Sequence, residues 1–232
     1  MCYDTNNSLW VTWKEPSTRE RFVIGLLEVK NEKYYFKYLE NEGENNLKKA
    51  MEKGFKFLPA FPEEKIYESE TLFYTFQNRL PNRKRKDVQE LLFNTGLTNE
   101  SSDFELLRET MGILPTDTFE FLIPINFYKI EELDLRFYVA GVKYYQSDEN
   151  TKELKENMEL ELKIECENKK DNCAIEILAE ENKIGYVPRC YSKYIYEYVE
   201  RKNIKAELKK IIKDLNNNKA LKIRIFGINK NN

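Results

Sequence analysis

From Leu133 onward, apolar residues repeatedly fall two apart. Leu133, Leu135, Phe137 and Val139 form one such series. Leu160, Leu162 and Ile164 form another, set against Glu161, Lys163 and Glu165. In an extended chain a period of two sends alternate side chains to opposite faces, so each series predicts a strand with one buried face. Residues 168–189, NKKDNCAIEILAEENKIGYVPR, add a polar turn containing Asp171 and the apolar run Ala174, Ile175, Ile177 and Leu178. A second turn follows, then Ile184-Gly185-Tyr186-Val187, and Pro188-Arg189 ends the strand. Residues 191–201 predict a helix, and 221–225 a last strand after the Asn216-Asn217-Asn218 turn. Residues 204–212 fit two readings. Ile204, Ala206 and Leu208 alternate as in a strand, whereas Leu208, Ile211, Ile212 and Leu215 suit a helix. Five or six short strands with one helix predict a small barrel.

The first half has a different texture. Residues 9–13, 22–28 and 33–39 predict hairpin strands, with Lys30-Asn31-Glu32 as a turn and the β-prone run Tyr34-Tyr35-Phe36-Lys37-Tyr38. Helices follow. One covers 46–53 and stops at Gly54; a second, capped by Ser69, runs to Arg79 with Leu72, Phe73 and Phe76 on one face. Asp87 and Glu90 form a capping-box pattern ahead of Leu91, Leu92 and Phe93, closed by Gly96. Ser102 and Glu105 form another ahead of Leu106, Leu107 and Met111, closed by Gly112. The expected class is α+β in two domains, 1–125 and 133–232. The boundary falls between Pro124 and Leu133, and the connection carries Phe127 and Tyr128, which are expected to pack the two lobes together.

Composition narrows the chemistry. At 232 residues, with 41% hydrophobic and 34% charged residues, the chain can bury a core without disulfides or metals. It has no uninterrupted apolar run of membrane-spanning length, and Met1-Cys2-Tyr3-Asp4 does not read as a signal peptide. The absence of histidine removes Ser-His-Asp and Cys-His catalysis. Cys2, Cys166, Cys173 and Cys190 show no CxxC spacing, so reduced thiols, no metal, no cofactor and a cytoplasmic location are expected. No G-x-x-x-x-G-K-[ST] pattern occurs, and the expectation is a protein that is not an enzyme. Net charge is −2, but in residues 201–232 ten Lys or Arg stand against only Glu207 and Asp214. That excess allows a basic face, and equally a solvated one.

Several residues in the second half carry a family pattern: Gly141-Val142-Lys143-Tyr144-Tyr145, then Glu165 and Asn168, then Asp171-Asn172-Cys173-Ala174-Ile175, then Ile184-Gly185-Tyr186-Val187-Pro188-Arg189 and Ser192. Over about residues 133–227 the chain resembles a HIRAN domain. The resemblance implies a small SH3-like or OB-like β-barrel with a helix, and a non-enzymatic module for single-stranded DNA or 3′ DNA ends. It assigns Asp171 to a 3′-hydroxyl, Lys143 to phosphate and Tyr144 to base stacking, with Tyr145, Lys169, Lys170 and Arg189 as further nucleic-acid contacts. Two positions depart from the family pattern: Lys170 stands where the related helicase domains carry a stacking aromatic, and Cys166 where a proline follows the Glu. Simpler readings stay open. Asp171 fits an Asx turn, Pro188-Arg189 fits a plain strand end, and Tyr144 and Tyr145, adjacent on an expected strand, put one ring in the core. The Arg83-Lys84-Arg85-Lys86 run reads as a solvated loop.

The first half is similar to the N-terminal segment of certain bacterial HIRAN proteins and loosely to the N-terminal subdomain of HipA-like kinases. Trp13, Phe61-Pro62, Asn78-Arg79-Leu80-Pro81 and residues 114–121 are among the carriers. This second resemblance implies the alternative function: an interaction module, or an antitoxin-like partner of a HipA-like kinase. Neither resemblance fixes the oligomeric state.

Overall fold

The computed structural model describes residues 4, 6–18, 20–40, 45–86, 88–89, 92, 97–114, 117–125, 130, 133–145, 154–169, 171–213 and 219–228. The chain divides into two compact units, Tyr3–Pro124 and Ile125–Asn232. Phe127, Tyr128, the Asp87/Glu90 pair and the Asn216–Asn218 turn lie outside the described residues.

The first unit is built on a five-stranded antiparallel sheet in the order β4-β3-β2-β1-β5. Strands β1 (Ser8–Lys14), β2 (Arg21–Lys30) and β3 (Lys33–Tyr38) form a meander. Asn31 and Glu32, with φ of 50° and 62°, make the tight turn that matches the twist of the β2–β3 hairpin. Helix α1 (Leu47–Glu52) starts at Asn46, whose side chain accepts the Lys49 N–H. The second expected helix is mostly absent. Tyr67–Ser69 instead forms β4, paired with β3 from Tyr34↔Ser69 to Phe36↔Tyr67. Only Tyr74–Gln77 is helical, as α2. Ser69 therefore ends a strand and does not cap a helix: pairing with the exposed edge of β3 overrides local helix propensity. Leu72 and Phe76 are buried all the same.

Helix α3 (Asp103–Thr110) carries the expected capping box, with Ser102 and Glu105 satisfying each other's backbone N–H groups. Strand β5 (Phe119–Leu122) then returns to pair with β1. An aromatic cluster fills the unit. Phe36 lies 4.4 Å from Phe61 and 5.5 Å from Phe76, centroid to centroid, and Phe76 lies 5.0 Å from Phe121. Charges on the sheet are answered internally. Glu120, 3% exposed, accepts from Arg21 Nε at 2.7 Å and from Lys14. Arg79 donates to Gly112 O at 2.8 Å, to Phe119 O at 3.0 Å and to both Asp117 oxygens.

The second unit is a six-stranded antiparallel sheet in the order β6-β11-β10-β7-β8-β9. Its strands are β6 (Asp134–Tyr138), β7 (Glu159–Ile164), β8 (Ile175–Ala179), β9 (Asn182–Tyr186), β10 (Ile204–Lys213) and β11 (Lys219–Gly227). Helix α4 covers Arg189–Glu200. The ambiguous segment is thus a strand, paired with β11 from Ile204↔Gly227 to Lys213↔Lys219. Its register shifts between Leu208 and Lys210. That irregularity breaks the period of two and puts Ile211 and Ile212 where a helix would have them.

The sheet curls as a half-barrel until its ends meet. Ala140, just past β6, exchanges two backbone hydrogen bonds with Tyr186 of β9, at 2.8 and 2.9 Å. Gly185 permits this approach. Its φ is +148°, and a Cβ there would collide with Val139 Cγ1 and lie 2.5 Å from the Ala140 carbonyl oxygen. Phe137, Ile177, Tyr191, Ile195 and Leu208 are fully buried, and the Phe137 and Tyr191 rings are 5.3 Å apart. Among the described residues no helix is long and apolar enough to cross a membrane.

Candidate functional site

The Ala140–Tyr186 seam is followed at once by a 3-10 turn, Val142–Tyr144, which Gly141 opens with φ +78°. Tyr144 and Tyr145 therefore do not alternate along a strand. Tyr144 points outward at 75% exposure, and Tyr145 is half-buried. The turn rotates successive side chains by much less than a strand does, which is why neither ring enters the core. The Lys143 ammonium sits 4.8 Å from the Tyr144 ring centroid, a cation–π contact at the surface. A Cβ at Gly141 would meet Tyr144, Tyr145 and Tyr186 only at ordinary van der Waals distance, so it is the positive φ that favours glycine there.

From Tyr145 a polar chain runs across the sheet. The Tyr145 hydroxyl reaches the Tyr186 hydroxyl at 3.5 Å, and the latter donates to Glu165 Oε2 at 2.9 Å. Asn168 Nδ2 also donates to Glu165 Oε2, and Asn168 Oδ1 accepts the Asp171 N–H at 3.0 Å. Asp171 then uses both carboxylate oxygens: Oδ1 accepts the Cys173 N–H at 3.0 Å, and Oδ2 accepts the Ser192 hydroxyl at 3.0 Å. Ser192 is fully buried in the first turn of α4, and its hydroxyl also lies 3.2 Å from the Arg189 carbonyl. Asp171 is thus an Asx-turn former and also a strut between the β7–β8 turn and the helix.

Lys183 lies on the same face. Its ammonium contacts Glu176 and Glu165 and lies 4.1 Å from the Tyr186 ring centroid and 5.2 Å from that of Tyr145. Burial alone would lower its pKa, but the bonds to Glu176 and Tyr186 outweigh it and hold the ammonium above the ordinary lysine range. Burial pushes Tyr186 up to about 12, helped by Tyr145 and Glu165 and opposed by Lys183, so the phenol stays protonated at neutral pH. The Asn168 amide, together with Tyr186 and Lys183, keeps Glu165 below the usual carboxylate range.

The hydrogen-bonded chain thus joins Tyr145 to Asp171, while Lys143 and Tyr144 contact each other on the adjoining 3-10 turn. Lys169 is exposed on the β7–β8 turn, and Arg189 is exposed at the start of α4. Lys170 lies outside the described residues. The expected site residues did not include Lys183, Tyr186 or Ser192. Tyr186 and Ser192 belong to the motif that suggested the family, but their contacts come from pairing between β8, β9 and α4. Lys183 has only its alternation with Ile184 to distinguish it in the sequence.

Residues 133–227 match the family model of the HIRAN domain. The second unit carries a HIRAN domain. An experimental structure, the HIRAN domain of human HLTF, is 20% identical over 42% of this chain and 78% of that one, with a TM-score of 0.32. No curated protein matches the chain. A HIRAN domain implies a DNA-binding module, and the exposed aromatic, its cation and the buttressed carboxylate all lie within the matched segment.

Proposed function

We propose that the HIRAN domain binds single-stranded or end-bearing DNA without catalysing a reaction, stacking a base on Tyr144 and receiving the 3′-hydroxyl at Asp171. The observation that carries this reading is the hydrogen-bonded chain from Tyr145 through Tyr186, Glu165 and Asn168 to Asp171. It couples the aromatic turn to the carboxylate, so both are held in advance of a ligand. A strand end needs both: a π-face for an unstacked base and an acceptor for its hydroxyl, with Lys143 beside Tyr144 for phosphate. The two hydrogen bonds that Asp171 already accepts leave lone pairs unused, since a carboxylate offers about four acceptor directions.

The test uses fluorescence anisotropy with two labelled strands that differ only in a 3′-hydroxyl or a 3′-phosphate. Asp171→Asn keeps the turn acceptor but loses the charge. It is expected to bind the 3′-hydroxyl strand roughly tenfold more weakly, about 1.4 kcal/mol, with little change for the 3′-phosphate strand. Lys143→Ala is expected to weaken both strands alike, because a phosphate contact does not sense the terminus. Equal behaviour of parent and Asp171→Asn on both strands removes the 3′-end reading. An affinity insensitive to salt transfers the function to a protein partner, such as a HipA-like kinase.

A further inference from the structure

The β7–β8 turn that holds Asp171 is flanked by two thiols. Ile164 pairs with Ile175, and beyond them the Glu165 N–H donates to the Ala174 carbonyl at 3.0 Å. There the ladder ends: the Asn168 N–H turns back to the Glu165 carbonyl and the Ala174 N–H to the Asp171 carbonyl, so Cys166 and Cys173, one residue beyond the Glu165–Ala174 bond, each lie in a turn. A hydrogen-bonded antiparallel pair holds its Cα atoms about 5.5 Å apart, and the two thiols lie one residue beyond such a pair. That spacing lies within the range a disulfide spans, roughly 4.4–6.8 Å. Cys166 is exposed and Cys173 half-buried, so a small oxidant has access to the pair, whereas Cys190 is buried in α4. Tyr196 of α4 ties the thiols to one neighbourhood. Burial raises its pKa first, and the charges of Cys166 and Cys173 and a hydrogen bond to Cys166 raise it further. Among the described residues no third His, Cys, Asp or Glu completes a metal site there.

We propose that Cys166 and Cys173 form a redox modification site, oxidised by a low-molecular-weight disulfide to a bond that closes the turn carrying Lys169 and Asp171. The chemistry is two exchanges. The Cys166 thiolate attacks one sulfur of the small disulfide and expels one small thiolate, leaving a mixed disulfide on Cys166. The Cys173 thiolate then attacks the Cys166 sulfur and expels the second small thiolate. Two protein thiols lose two electrons and two protons, and one small disulfide becomes two small thiols. The product pins the base of an eight-residue loop whose internal ties include Asn168 Oδ1 to the Asp171 N–H and Asp171 Oδ1 to the Cys173 N–H.

The test is to incubate the full chain with oxidised glutathione, block remaining thiols with iodoacetamide, digest with trypsin without reduction, and read the peptides by mass spectrometry. The expected product is peptide 164–169 joined to peptide 171–183, lost on reduction, with Cys190 alkylated. Cys190→Ser should retain the linked pair. Cys166→Ser should abolish it, and Cys173→Ser should stop the reaction at a glutathione adduct on Cys166. In the parent chain, glutathione remaining on Cys166 with Cys173 alkylated overturns the proposal, and so does a link from either cysteine to Cys190 or Cys2. The bond forms or fails whether or not the protein binds DNA, so this result is independent of the reading of Asp171.

Discussion

Each unit of this chain sets a carboxylate against lysine or arginine at a β-sheet, and the two are managed in opposite ways. Glu120 is sealed in, at 3% exposure, with Arg21 and Lys14 closing over it. Glu165 keeps 30% of its side chain open and shares its oxygens among Lys183, Tyr186 and Asn168. The aromatic residues do not divide this way: Phe36, Phe61 and Phe121 of the first unit and Phe137 and Tyr191 of the second are all but completely buried, while Tyr74 of the first and Tyr144 of the second stand in solvent, Tyr144 beside Lys143. A sealed charge is costly to remove, because its partners are left as desolvated ions. An open network contributes less stability and leaves polar and aromatic groups available to a ligand.

The largest test of that contrast is a pair of substitutions followed by urea denaturation. Glu120→Ala should cost about 3–5 kcal/mol, since Lys14 and Arg21 lose a buried partner. Glu165→Ala should cost at most about 1 kcal/mol, as an accessible pair does. Equal costs would erase the distinction. The acid limb gives a second view of the same carboxylate. Burial opposes ionisation of Glu120, but Arg21 and Lys14 outweigh it and hold its folded pKa below the ordinary value. Its stabilising contribution should therefore be complete above the unfolded carboxyl pKa and lost as pH falls through the folded one. Glu120→Gln should flatten that part of the stability profile.

A smaller effect is expected at the seam. Gly185→Ala puts a Cβ against Val139 and the Ala140 carbonyl at φ +148°, and should cost about 2 kcal/mol through backbone strain and overpacking. Strand binding should weaken with it, because the 3-10 turn is anchored there. Tyr144→Ala separates binding from stability. The melting curve should hardly move, while affinity for a single strand should fall by about 1–2 kcal/mol. The smallest effect is in ionic strength. With roughly four phosphate contacts, log K should fall against log salt with a slope of about −3, and Lys143→Ala should make it shallower by about 0.7.

The strands of the second unit were legible because burial on one face leaves a period of two in the sequence. The capping box at Ser102 and Glu105 was legible because it is complete within four residues. Strand β4 was not. Tyr67–Ser69 has three residues, too few for a period, and it is a strand only because the edge of β3 is there to pair with it. The same limit applies to the site. Asp171 and Tyr144 were singled out by motif, and the turn around Asp171 was legible from its residue types. The Ser192 strut joins residues 21 apart, and the Tyr186–Glu165 bond also spans 21 positions. Such contacts exist only once β9 and α4 are folded against the sheet.

Two backbone hydrogen bonds between Ala140 and Tyr186 join the ends of the curled sheet. Their amide protons exchange with solvent only when that join opens, so they form a built-in reporter. A DNA strand lying across the 3-10 turn and β9 would slow exchange at both amides together, with no label on protein or ligand. A partner docking elsewhere would leave both rates as they are.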